Sequence, residues 1–89
     1  TFDKPDTETF YRLSLAYEAL RSGGNIPTIY NAANEKAVAL FLEKRIGYLQ
    51  ITELIDRAMA NVQRIENPDV SQILETEAAV YEYIAGLGY

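Results

Sequence analysis

Apolar side chains in this chain recur at steps of three and four, the spacing of one face of an α-helix, and nowhere alternate with a period of two. Phe10, Leu13, Tyr17 and Leu20 lay down the first such stripe. The helix that carries it starts between Thr7 and Phe10, with Asp6 as its N-cap and Glu8 near the positive end of the dipole. It stops at Ser22-Gly23-Gly24, where glycine takes the left-handed conformation, and a turn follows through Asn25. Ile26, Ile29, Tyr30, Ala33, Ala37, Leu40 and Phe41 mark a second helix that begins near Pro27 and ends at Lys44 to Ile46, before Gly47. Leu54, Ile55, Ala58, Val62 and Ile65 predict a third from about Leu49 to Glu66, stopped by Asn67-Pro68. Val70, Ile73 and Leu74 then read as a short apolar turn, and Ala78, Val80, Tyr81, Ile84 and Leu87 as a final helix closed by Gly86 and Gly88, with Thr76 as the cap between them unless the two pieces run on as one. The pattern predicts an all-α fold, a small four-helix bundle-like domain with connections of three to six residues.

Composition agrees with one domain and narrows its chemistry. The chain has 89 residues, 48% hydrophobic and 24% charged, which suits one soluble globular unit. Its longest uncharged run, residues 22–34, is interrupted by Gly23, Gly24 and Pro27 and is too short to span a bilayer. Cys, His and Trp are absent, which removes disulfides, thiolate nucleophiles, imidazole bases and nearly every zinc, copper or haem site. The chain begins at Thr1 rather than Met, with no leader, and so reads as a piece of a longer protein. Its expected home is cytoplasmic.

The net charge of −5 is unevenly placed. Residues 1–64 are balanced, whereas residues 65–89 hold Glu66, Asp69, Glu75, Glu77 and Glu82 and no base. Such a segment repels a phosphate backbone, so neither nucleic acid nor membrane is an expected partner. Its ordinary use is a solvated face on the last helix; a surface for a basic partner is the sharper one.

Carboxylate pairs are the sole enzyme-like constellation this composition allows, and neither Glu75 with Glu77 nor Glu53 with Asp56 stands out from solvated helix surface. Gly23-Gly24 lacks the strand and spacing of a phosphate-cradling loop. Of seven tyrosines, Tyr81, Tyr83 and Tyr89 cluster near one end of the chain and form the better aromatic interface candidate. The oddest segment is Asn31-Ala32-Ala33-Asn34-Glu35 inside the second helix, since Asn disfavours helices and its amide competes with the backbone. Asn31, Asn34 and Glu35 share one face, either as an exposed stripe with Glu35 paired to a base or as a hydrogen-bonding contact with a neighbouring domain.

That segment, followed by Ala37-Val38, Phe41-Leu42, Ile46 and Ile51, resembles the C-terminal domain of 1-deoxy-D-xylulose 5-phosphate reductoisomerases. Phe2, Pro5-Asp6, Phe10, Leu13, Leu15-Ala16, Ala19 and Gly24 fit the same pattern, and the likeness covers essentially the whole chain. The chain departs from the family pattern at Tyr11, where Pro is frequent, and at Tyr81, where Arg is frequent.

The resemblance implies that residues 1–89 form one C-terminal domain of a larger three-domain, homodimeric enzyme of bacterial type in the non-mevalonate isoprenoid pathway. Such an enzyme is an oxidoreductase that forms 2-C-methyl-D-erythritol 4-phosphate with NADPH and Mg or Mn. Its dinucleotide-binding and metal-binding motifs belong to the two preceding domains. No catalytic, cofactor-binding or metal residue is therefore carried over onto this chain, and the implied partner is the catalytic domain of the same polypeptide, with Asn31, Asn34 and Glu35 as the contact. The competing expectation is a free-standing acidic helical interaction module that grips a partner through its Tyr-rich end or acidic tail.

Overall fold

The computed structural model describes residues 6–89, so Phe2 and Pro5 of the family pattern lie outside the described residues. Four helices account for the fold: α1 (Thr7–Ser22), α2 (Ile26–Leu42), α3 (Tyr48–Asn61) and α4 (Val70–Ala85). The central pair is α2 and α3, flanked by α1 on one side and α4 on the other; α1 and α4 do not touch. The core lies where α2 meets its neighbours. Ile29, Ala33, Ala37, Leu54, Ile55, Ala58, Val80 and Ile84 are wholly or almost wholly shielded from water, and Leu15 and Ala19 anchor α1 against them. The small residues of α2 let its axis sit close to both α3 and α4, while branched side chains from those helices fill the seam.

The ends of the helices follow from local chemistry. Asp6 caps α1, its Oδ1 accepting from the backbone N–H of Glu8 at 3.1 Å and Thr9 at 3.2 Å, as the sequence predicts. Gly23 and Gly24, at φ +69° and +61°, end it. α2 stops at Leu42, earlier than its pattern suggests, because Lys44 takes φ +63° and lets its own N–H reach Phe41 O and that of Arg45 reach Leu40 O, both at 2.9 Å. This is the reverse turn that glycine usually makes, here made by lysine.

One expectation is corrected and one open choice is decided. The third helix ends at Asn61, and residues 62–66 leave it in irregular, non-helical backbone that starts extended at Val62, ψ 139°. Val62 still packs partly against the core and Ile65 is half-buried, so a helix-like spacing of apolar groups is met without a helix. The last helix is one unbroken element capped by Asp69, whose Oδ1 accepts from Gln72 N at 2.8 Å while Gln72 Oε1 accepts from Asp69 N at 3.0 Å. The sequence Asp69-Val70-Ser71-Gln72 is a capping box, and Thr76, read as the cap, sits buried in mid-helix. The connection between α3 and α4, residues 62–69, is accordingly longer than the others.

Asn25 explains why that connection runs as it does. It is fully buried at the joint between α1 and α2. Its backbone N–H donates to Ile65 O at 2.9 Å, its Nδ2 donates to Gln63 O at 2.9 Å and Thr76 Oγ1 at 3.0 Å, and its Oδ1 accepts from Ile65 N at 2.8 Å. Every polar atom of the amide is used, as burial requires. One side chain thus pins the connecting segment to α4 and to the start of α2. Arg64 adds a bond from Nη2 to Ser22 O at 2.8 Å.

Candidate functional site

The three polar residues of α2 do not share one environment. Asn31, Glu35, Ala39 and Leu42 form the outward row of the helix, and Asn34 is half-buried beside it. Asn31 lies toward α1, where it joins Ala16, Ala19, Leu20, Pro27 and Tyr30 around a hollow of about 130 Å³. Glu35 lies toward α4 and accepts a hydrogen bond from the Tyr81 hydroxyl. Its predicted pairing with Lys or Arg does not form among the described residues, whose ion pairs are Arg45 with Glu43 and Arg57 with Glu53.

Two tyrosines, Tyr11 and Tyr81, bridge helices. Tyr81 ties α4 to α2 through Glu35, and Tyr11 ties α1 to α3 by donating to Asp56 Oδ2 at 2.9 Å. Each carboxylate holds its phenol above the ordinary value, because ionising the hydroxyl destroys the bond and sets two negative charges side by side. Tyr30 is also raised, by burial. A phenol raised in the folded state stabilises the fold fully below its unfolded value and loses that contribution as pH climbs through the folded one. Following tyrosinate absorbance through alkaline pH, we expect Tyr11→Phe and Tyr81→Phe each to delete one late-titrating phenol. Unchanged late titration in the double variant would remove both bridges from the solution structure.

α1 presents an arrangement that the sequence pattern did not disclose. An apolar helical stripe ordinarily faces the core. Here Leu15 and Ala19 face inward, and the prominent stripe faces water: Phe10 is 65% exposed, Leu13 52%, Tyr17 68% and Leu20 69%. Polar contacts reinforce the thin inner face. Arg12 donates from Nη2 to the Tyr48 hydroxyl at 2.7 Å with its guanidinium 5.0 Å from that ring's centre, and Tyr30 donates to Arg12 O at 3.3 Å. α1 is therefore clamped in place while displaying its larger apolar side. The aromatic end of α4 is more modest, with Tyr83 and Tyr89 packed partly against the core and Tyr81 exposed at its rim.

Glu53 is drawn to Arg57 and Asp56 to Tyr11, so the carboxylates noted in α3 serve as surface partners. Among the described residues no three or more His, Cys, Asp or Glu stand close enough to hold a metal ion. No described helix is long and apolar enough to cross a membrane.

Comparison with known proteins follows the same lines. A family model described as the DXP reductoisomerase C-terminal domain matches residues 1–83. The 1-deoxy-D-xylulose 5-phosphate reductoisomerase of Agathobacter rectalis is 56% identical over 85 residues, 96% of this chain and 22% of that relative. The enzyme of the same name from Lachnospira eligens is 57% identical over 84 residues, 94% of this chain and 22% of the relative. That from Thermoanaerobacter sp. strain X514 is 52% identical over 85 residues, again 96% of this chain and 22% of the relative. The chain thus spans about a fifth of the length of the curated relatives it matches. With its four helices, its Asn31 to Glu35 segment and a family match along almost its full length, the chain belongs to the DXP reductoisomerase C-terminal domain family.

Proposed function

We propose that residues 1–89 are the C-terminal accessory domain of a three-domain, homodimeric, cytoplasmic 1-deoxy-D-xylulose 5-phosphate reductoisomerase. The parent forms 2-C-methyl-D-erythritol 4-phosphate with NADPH and a divalent metal, Mg or Mn. The observation that carries this reading is the span of the match: nearly all of this chain against about a fifth of each relative. The residues here do not fit either cofactor. Among the described residues there is no metal-holding group, and the helices are joined without the strand and Gly-rich turn that cradle a dinucleotide. NADPH and metal are held by the preceding domains, and no step of the reaction is routed through this one.

The domain's work is mechanical. It packs on the catalytic domain and limits that domain's motion, which matters because a site held loosely by about 1 Å loses much of its rate. Asn31, Asn34 and Glu35 supply polar contacts to that packing. The test is complementation in trans: the purified chain is added to a parent enzyme cut just before the position of Thr1, and NADPH oxidation is followed with substrate and metal. Turnover is expected to return with the domain and to stay low without it, and the chain alone is expected to show none. Replacing Asn31, Asn34 and Glu35 together by Ala weakens the rescue while leaving the fold intact. A helical, monomeric domain that rescues nothing would sink the proposal.

A further inference from the structure

We propose that the outward face of α1, the row Phe10, Leu13, Tyr17 and Leu20 continued across the α1–α2 hollow by Asn31, is the seat on which the preceding part of the same polypeptide packs. The inference rests on the reading of this chain as a C-terminal accessory domain and adds an apolar surface to the polar contacts named there.

Three observations support the assignment. At about 100° per residue, the centre of the exposed row lies roughly 150° round the helix from Leu15 and Ala19, so no small rotation of α1 could bury both. The row runs through nearly the whole helix, and its side chains stand out between half and two-thirds exposed, whereas a water-facing helix normally turns charge outward. The polar clamps from Arg12, Tyr11 and Tyr30 fix α1 in that orientation from its other side.

The occupant follows from where the rest of the polypeptide lies. The relatives are several times longer than this chain, and the family is their C-terminal domain, so the bulk of the parent precedes α1. α1 is the first helix met after that junction, and its N-terminal turn already carries Phe10. Charge favours the same side. α1 holds Glu8, Arg12, Glu18 and Arg21, a balanced set, while the base-free acidic stretch lies on α4 and its approach, on the opposite flank of the α2–α3 pair. The α1 face can thus be desolvated with little electrostatic penalty, whereas the α4 face keeps its repulsive charge in water. Asn31, at the edge of the hollow beside Leu20, supplies a polar group at the rim of an apolar patch, the usual arrangement of an interface.

Because the chain contains no cysteine, single thiols report the burial of chosen positions. Leu13→Cys, Tyr17→Cys, Asn34→Cys, Ser71→Cys and Ala78→Cys would be made one at a time in the full-length enzyme. Maleimide labelling of the corresponding peptide, read by mass spectrometry, would be compared with the isolated chain, its helicity checked by circular dichroism. Labelling at positions 13 and 17 is expected to slow about ten-fold or more in the full-length enzyme, with little change at 71 and 78, since a packed interface core excludes reagent as a protein interior does. Equal rates at 13 and 17 combined with slowing at position 34, 71 or 78 would overturn the assignment of the face while leaving the accessory-domain reading intact. No slowing anywhere would overturn both. Slowing at 13 and 17 in the isolated chain that fades on dilution would give the face to a second copy, and the proposal would fall.

Discussion

Asn25→Ala is expected to lower the stability of the chain by about 3 kcal/mol, since three side-chain hydrogen bonds disappear and their buried partners lose the groups that replaced water. The side chain is fully buried and its partners belong to two separate stretches, Gln63 and Ile65 in the connecting segment and Thr76 in α4. Loss of the amide therefore loosens the connection between helices rather than one helix. Urea unfolding followed by helical circular dichroism measures the change. Asn25→Asp supplies the chemical check: a carboxylate keeps the acceptor toward Ile65 N but turns an oxygen toward the Gln63 carbonyl, so the variant should be weak at neutral pH. It should recover part of its stability in acid, where the protonated carboxyl can donate again. A loss in Asn25→Ala no greater than that of an exposed polar residue would show that the joint is not formed in solution.

Gly24→Ala attacks the same joint from its backbone, with a comparable expected loss of about 3 kcal/mol. Gly24 sits at φ +61°, and a Cβ there would stand 2.4 Å from Ile65 O and 3.1 Å from both Glu66 Cα and Glu66 O. These are backbone atoms held by the Asn25 bonds, so they cannot swing aside as a side-chain tip would. The neighbouring glycine separates conformation from close approach. Gly23 has φ +69° and ψ −159°, a backbone region almost confined to glycine, with nothing within 4 Å of a Cβ, so Gly23→Ala should carry a conformational penalty alone, of about 1–3 kcal/mol. Thermal melts decide the matter: a Gly24→Ala loss of about 1 kcal/mol or less, no more than a left-handed φ costs by itself, would refute the close approach at Gly24. Because both residues hold residues 63–66, Gly24→Ala combined with Asn25→Ala should lose less than the two changes separately. For a domain of this size either change removes a large share of the total stability.

The same joint shows why part of the fold escapes a reading of the sequence. Val62 and Ile65 lie three apart after Ala58, which satisfies a helical template, and no local residue forbids the helix from continuing before Asn67-Pro68. What stops it at Asn61 is Asn25, nearly forty positions away, offering the backbone of residues 63 and 65 better-placed partners than another helical turn would. Local spacing reads Thr76 as a cap between two helical pieces and not as the acceptor for Asn25, and its hydroxyl donates to Gln72 O at 2.8 Å in mid-helix. The Asp69-Val70-Ser71-Gln72 capping box, by contrast, is a local signal that predicts one continuous α4.

The candidate site divides in the same way. Spacing places Asn31 and Glu35 on the outward row of α2, and the structure keeps them there. Their partners differ, because α1 lies on one flank of that row and α4 on the other, and a periodic pattern carries no information about neighbours. The α1 stripe is the sharper case. Periodicity finds that Phe10, Leu13, Tyr17 and Leu20 share a face, yet a stripe that meets the domain's own core and one that meets another domain look identical in sequence.

The all-α class, the existence of each helix, the cap at Asp6, the glycine stop after α1 and the exclusion of thiol, imidazole and disulfide chemistry can all be read along the chain. Each of these depends on interactions within a few residues of one another, or on which side chains exist at all. The end of α3 at Asn61, the buried keystone Asn25, the helix bridges made by Tyr11 and Tyr81 and the outward turn of the larger apolar side of α1 emerge only in three dimensions. Those outcomes depend on which distant groups meet and compete for the same hydrogen bonds and the same dry surface, a choice made by packing the four helices together.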